Sequence, residues 1–465
     1  MHRFFSLGVA WLSGWAAMLT PVAAVAGGSL LCGTAGDELV AGRAGLVREW
    51  VVQVPFDSAG YALENVSIGD GLVVATSGDG GVHAVSTGTG AGQPRPGSVL
   101  WSQRFGRPGG PGQPAGIGAD VVTVARDLEM VAFNRADGSI KWRRSFGRPS
   151  SGGVVPSGDW VYGPLSGNGL MRVPTDPYRR PAEPQVAAGK RRGRAVTTTG
   201  SGSKAATTSS ADPLRPLSLD AAGQVESAPI PYLGGVVWCT DDGLIESVVP
   251  VDSEETEAEW ARTEFDLGAA PAGPLVVRAK SIFAATTRGD LARIDDPPPD
   301  DVHSFKAMWH VVLPYPPEGG PLVGGDTVVV SLGDEGIMAF SAETGDERWR
   351  SCLAGRLVSI TGNHVWFVDR VGRLSSLDLA TGMPGPQMCL GSFTLPVANT
   401  VDERLILASP DGLVVSLAPR RTVSAVPPAP PQPNWRPDAD RPAAEPPAAR
   451  SDAVEPTAGA GTTDT

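Results

Sequence analysis

Short apolar runs of four or five residues recur along the body of the chain. Each ends at a tight turn and is answered by a second run. LVVAT (72–76) pairs with VHAV (82–85), DVVTV (120–124) with MVAF (130–133), WVYG (160–163) with LMRV (170–173), and GVVWC (235–239) with LIESV (244–248). SIFAA (281–285) with LARI (291–294), TVVVS (327–331) with IMAF (337–340), HVWFV (364–368) with LSSL (374–377), and LILA (405–408) with LVVSL (413–417) complete eight units. The turns between the runs are rich in Gly and Asp, which tolerate the positive φ of tight hairpins. Runs this short, bounded this way, predict strands. No amphipathic helical stretch separates the pairs, which excludes alternating βαβ units.

The units begin at 72, 120, 160, 235, 281, 327, 364 and 405. The one wide gap, from 160 to 235, contains the low-complexity stretch 177–211. A β-patterned period of about 40–45 residues is that of a four-stranded propeller blade. After each pair comes a strand that often carries Trp, as in ADGSIKWRRSF (136–146), EAEWARTEF (257–265) and KAMWHVVL (306–313). The eighth unit has no such strand after Leu417, whereas REWVVQVP (48–55), with Trp50, stands unclaimed at the other end. The expected fold is therefore all-β: an eight-bladed propeller of four-stranded blades, closed by an N-terminal strand that removes the open edge.

Composition adds the segments outside the ring. The 465 residues include 59 Gly and 43 Pro, only 19% charged residues, and a net charge of -12. Long charged helices are excluded, and duplex nucleic acid is not an expected partner, because phosphate binding needs a basic face. Residues 1–26 have a basic start, an apolar run from Phe4 to Leu19, Pro21, and Ala24-Val25-Ala26 at a cleavage-like site. That layout predicts a secretory signal peptide and a periplasmic or secreted protein, the alternative being an uncleaved N-terminal anchor. Cys32 follows Leu31 where a lipoprotein signal needs a small residue, which disfavours lipidation. The expected organisation is a signal peptide (1–26), a linker (27–45), a propeller (46–420) with a disordered basic insertion (177–211), and a disordered Pro/Ala-rich tail (421–465). Within the insertion, Lys190, Arg191, Arg192 and Arg194 form a candidate contact arm.

Ala339–Trp349 reads AFSAETGDERW. It resembles the A-x-D-x-x-T-G-x-x-x-W docking motif of pyrroloquinoline-quinone-like (BamB-like) β-propeller repeats. AFNRADGSIKW (132–142) and LDLATG (377–382) are weaker copies. The resemblance covers roughly residues 46–420. It implies blade-docking roles for Ala339, Thr344, Gly345 and Trp349, with Asp137, Gly138, Trp142 and Trp50 at matching places. In the family the Ala packs between blades, the T-G turn hydrogen-bonds its neighbour, and the Trp stacks on the next blade's motif. Ser341 and Asn134 replace the family's Asp, and unit seven has no Trp at the corresponding position.

The family holds quinone-dependent dehydrogenases and non-enzymatic propellers. The dehydrogenases carry adjacent cysteines above the quinone and a Glu/Asn/Asp calcium site. This chain has four cysteines, none adjacent, and Cys239, Cys352 and Cys389 read as small core residues. The five histidines lack metalloprotease spacing, and no nucleophile elbow or phosphate loop occurs. No catalytic, cofactor-binding or metal-binding set is expected, and no cofactor. The resemblance points to a monomeric, non-enzymatic envelope scaffold that binds another envelope protein or complex, similar to BamB. The alternatives are a degenerate quinoprotein (PQQ-dependent) oxidoreductase and a propeller that senses a small solute.

Overall fold

A computed structural model describes residues 30–88, 94–167, 169–176, 217–251, 259–296 and 304–420. The expected signal peptide, contact arm and tail lie outside them. The described residues form eight antiparallel sheets that follow one another as the blades of a propeller. In blade 6 the strands a to d, in chain order, are Leu322–Gly324, Thr327–Ser331, Ile337–Ser341 and Glu347–Ser351. Blades 1 to 5 and 7 repeat this order. Strands a of blades 1 to 4, and those of blades 5 to 7, contact one another in succession, which puts the a strands innermost and the d strands at the rim.

Burial explains the sequence pattern. Each sheet is covered on both faces by its neighbours, so its middle strands read as continuous apolar runs. Leu72–Ser77 and Gly81–Ser86, strands b and c of blade 1, are buried at every residue. Rim strands meet water at their outer edge and alternate, as Leu46–Gln53 does. Eight apolar cores lie between the blades, one at each seam, including the seam between blades 8 and 1.

Blade 8 closes the ring. Its strands a to c are Leu395–Pro396, Leu405–Ala408 and Leu413–Pro419. Leu46–Gln53 pairs antiparallel with Leu413–Pro419, from Leu46 opposite Pro419 to Gln53 opposite Leu413. Arg404 fastens this junction through Glu49, with Nε 2.6 Å from Oε2.

Residues 30–45, expected as a linker, carry structure. Leu30–Thr34 adds a fifth strand, parallel to Pro384–Cys389 at the rim of blade 7. Helix α1 (Glu38–Arg43) follows, capped by Asp37, whose Oδ1 accepts from Leu39 N at 3.0 Å. Val40, Ala41 and Ala44 enter the core between blades 7 and 8 with Met388, Leu390 and Phe393. The physical reason lies in the closure. In blades 2, 6 and 7 a continuous described turn links strands c and d, but in blade 8 these strands come from opposite ends of the chain. Helix α1 leads into strand d at the place of that turn, beside the one motif copy that lacks Trp. No helix of the described residues is long and apolar enough to cross a membrane.

Candidate interaction site

A docking scaffold depends on rigidity, and the seams between blades supply it. Trp349 of blade 6 is buried, and its Nε1 donates to Leu379 O of blade 7 at 2.8 Å. Trp309 of blade 5 donates to Ala342 O of blade 6 at 3.1 Å, and Trp101 of blade 1 donates to Arg135 O of blade 2 at 2.9 Å. Each indole lies on the glycine of the next blade's c–d turn. Gly345 and Gly382 have φ +78° and +69°, and a β-carbon there would fall 2.8 and 2.5 Å from Trp309 and Trp349. Gly138 meets Trp101 in the same way. Each motif copy thus receives one Trp, and the two copies that carry a Trp send it onward. Ala339 is fully buried in the core between blades 6 and 7.

Thr344 differs from the family expectation. It is exposed, and its Oγ1 donates to Asp346 Oδ2 at 2.7 Å within its own turn. The bond to the neighbour is accepted instead by the carbonyl of Ala342, because only the backbone of the turn faces the incoming indole. The Asp replacements keep their local task. Ser341 Oγ accepts from Thr344 N at 3.3 Å and Asn134 Oδ1 from Ala136 N at 3.2 Å, as Asp378 Oδ1 does from Thr381 N at 2.8 Å. Asp137 accepts from Ser139 N and Oγ, and the backbone bond holds its carboxyl below the ordinary range.

Trp142 and Trp50 are buried, with no partner for Nε1 among the described residues. Trp142 enters the core between blades 2 and 3, and the c–d connection of blade 3 is the insertion. Trp50 lies against Gly97 of blade 1. Trp260 of blade 4 packs toward blade 3, where the Arg172 guanidinium lies 4.8 Å from the Trp160 ring centre and 5.6 Å from that of Trp260.

The b–c turns carry a second repeated device that the sequence reading registered only as Gly and Asp. A Ser or Thr ends or directly follows strand b, and an Asp comes two residues later. Ser77 donates to Asp79 at 2.6 Å, and Thr240 and Ser409 donate to Asp242 and Asp411. Blade 1 extends the chain inward: buried His83 has Nε2 3.4 Å from Ser77 Oγ and Nδ1 3.0 Å from Ser102 Oγ. Burial lowers its pKa to about 4, against the pull of Asp79, so the imidazole is neutral. The recurrence of the Ser/Thr–Asp pair in blades 4 and 8 identifies it as turn architecture.

The b–c turns and the links between blades share one face of the ring. There a cavity of about 280 Å³ opens between blades 4 and 5. Its wall consists of Glu226, Ser227, Cys239, Thr240, Asp241 and residues 270–274. Glu226 and Asp241 are exposed. Asp241 Oδ1 accepts from Gln224 N at 2.9 Å, which ties the link after blade 3 to the blade 4 turn. In the same blade, Glu246 is buried and accepts from Trp238 Nε1 at 3.0 Å, from Ala222 N at 3.2 Å, and from Arg262. Together the wall residues form a polar recess with two carboxylates at its mouth.

The cysteines correct one expectation. Cys239 is buried, and burial raises its thiol to about 12, with Asp242 adding to the effect. Cys352 and Cys389 are exposed, because each lies at or after a rim strand. The three occupy three different blades, so no pair stands where a quinone clamp would be. Among the described residues no group of three His, Cys, Asp or Glu could hold a metal ion. The described residues do not fit a quinone–calcium site. Lys190, Arg191, Arg192 and Arg194 belong to the c–d connection of blade 3, outside the described residues.

The family model described as outer membrane protein assembly factor BamB matches residues 90–176 and 303–420. The solved structure of BamB from Moraxella catarrhalis is 15% identical, with a TM-score of 0.53, over 80% of this chain and 97% of that one. The computationally designed Ika8 protein is 12% identical, with a TM-score of 0.50, over 78% and 98%. Sqt1 of Saccharomyces cerevisiae is 10% identical, with a TM-score of 0.50, over 79% and 98%. These likenesses show the propeller fold alone. No curated protein matches the chain.

Proposed function

Taking as premise that residues 90–176 and 303–420 carry repeats of the pyrroloquinoline-quinone-like, BamB-like propeller family, we propose that the protein is a non-enzymatic docking scaffold of the cell envelope. The observation that carries this reading is the uninterrupted set of eight seams. A ring locked at every seam presents two loop faces with little conformational entropy to lose on binding, which favours holding a macromolecular partner. The signal-peptide-like N-terminus supports a periplasmic or secreted location, and the family's description as an assembly factor supports an envelope protein as the partner. The long c–d connection of blade 3, with its basic cluster, is the proposed contact arm.

Affinity capture from envelope extract, with the intact chain and with residues 177–211 deleted, tests the reading. A partner retained by the first and lost by the second is expected. Incubation with pyrroloquinoline quinone and calcium serves as the opposing arm. Stoichiometric quinone binding with dye-linked alcohol or sugar oxidation overturns the scaffold in favour of an oxidoreductase.

A further inference from the structure

We propose that the recess between blades 4 and 5 is a binding site for a single lysine or arginine side chain, presented by an extended segment of a partner protein. The hydrogen-bonding inventory of its wall carries the argument. Three backbone N–H groups of the wall are spent inside the protein: Thr240 N donates to Leu244 O at 2.9 Å, Asp241 N to Gln224 O at 2.8 Å, and Ala272 N to Ala285 O at 2.8 Å. Pro271 and Pro274 have no N–H. The Thr240 hydroxyl donates to Asp242. No lysine, arginine, histidine or aromatic ring is among the described residues of the wall. A recess so poor in donors does not suit an anion, and without rings it does not suit a quaternary ammonium. Acceptors remain. Asp241 Oδ1 takes one bond, from Gln224 N, and neither Asp241 nor Glu226 has a basic partner among the described residues.

The recess also fits the stem of such a side chain. Glu226 comes from the link after blade 3 and Asp241 from the b–c turn of blade 4, whereas Ala270, Pro271, Ala272 and Pro274 come from the link after blade 4. The recess therefore has an acidic side and an apolar side. A basic side chain is built the same way, with a charged head on a methylene stem that covers apolar surface. The cavity volume, about 280 Å³, lies below the roughly 300–1,000 Å³ of sites that enclose a drug-sized ligand. One side chain matches it, and a cofactor does not. The walls are already held in place. Ser151 Oγ donates to Val225 O at 2.5 Å and Thr287 N to Ala270 O at 2.9 Å, and a β-carbon on Gly273 would fall 2.2 Å from Gly320 N. Little ordering is left to be done on binding. A free diamine would set its second charge against the apolar side, whereas a peptide brings only one charge. That the guest belongs to a protein rests on the docking-scaffold reading above.

Titration of the purified full chain with acetyl-Gly-Lys-Gly-amide, followed by ligand-observed NMR, tests the site. Saturable binding is expected, and carbodiimide coupling should join the peptide to Glu226 or Asp241. Glu226→Gln and Asp241→Asn are each expected to raise Kd about threefold, as the loss of one exposed ion pair does. Asp241→Asn keeps the Oδ1 acceptor for Gln224 N, so the wall stays in place. Glu335→Gln, in the exposed b–c turn of blade 6, should leave Kd unchanged. The same peptide with norleucine for lysine should not bind. Equal binding of the norleucine peptide, coupling only at other carboxylates, or a Kd untouched by both variants each overturns the proposal. Cadaverine bound as tightly as the peptide overturns it in favour of a small amine. The scaffold reading fails separately. If envelope extract yields no partner while the peptide binds as stated, that reading falls and the site stands. If a partner is captured equally by the intact chain and by the Glu226→Gln/Asp241→Asn double variant, and the peptide does not bind, the site falls and the scaffold stands.

Discussion

Gly382 and Trp349 lie so close that a β-carbon on the glycine would fall 2.5 Å from the indole ring, while the indole N–H bonds the carbonyl of Leu379. Residues in two different blades thus define one contact. The turn needs a positive φ at Gly382, and the indole needs the surface that a missing side chain leaves. Gly382→Ala is expected to destabilise through both causes, and Trp349→Ala to cost about 3–5 kcal/mol, as other buried large-to-small changes do. Denaturant melts of the two single variants and the double variant check this. Because both mutations break one contact, the double variant should lose less than the sum.

Deleting residues 30–44 is expected to expose Met388, Leu390 and Phe393 at the seam between blades 7 and 8. Hydrogen exchange should accelerate first in Arg373–Asp378 and Leu405–Ala408, ahead of the other blades. Deleting Leu46–Gln53 should go further, because it uncovers the hydrogen-bonding edge of Leu413–Pro419. Loss of the monomer by size-exclusion chromatography is the expected readout.

The neutral His83 makes stability depend on pH. Its folded pKa, about 4, lies below the ordinary histidine value of 6.5. Between those values the unfolded chain binds a proton that the folded chain does not, so stability falls as pH falls through that window. The slope from this group is up to about 1.4 kcal/mol per pH unit. His83→Gln keeps polar contact with Ser77 and Ser102 and should flatten the acid limb. Melts at pH 7, 6, 5 and 4 check it, and equal slopes in both proteins would remove His83 as the cause.

Glu246→Ala leaves the Trp238 indole and the Arg262 guanidinium without their buried acceptor. Removing one partner of a buried pair costs about 3–5 kcal/mol. Glu246→Gln keeps an acceptor for Trp238 and is expected to cost less. Urea unfolding of both variants compares them.

Much of this architecture was legible from local pattern. Eight apolar run pairs, a period near that of a blade, and an unclaimed strand around Trp50 suffice for a closed ring, because strand periodicity and turn chemistry are properties of neighbouring residues. The Trp and Gly of the docking motif were legible for the same reason. The pairing across the chain was not. That Thr344 serves its own turn while Ala342 meets the neighbour depends on which atoms the turn presents to the next blade. That residues 30–45 form a strand and a capped helix depends on a seam whose other wall lies more than 300 residues away, since neither a five-residue strand nor a six-residue helix holds its shape without tertiary packing. The exposure of Cys352 and Cys389 likewise follows from their place at the rim. Local spacing specified the strands and the number of blades. Only the closed ring, by bringing distant surfaces together, decided which residues fill its seams and which remain in water.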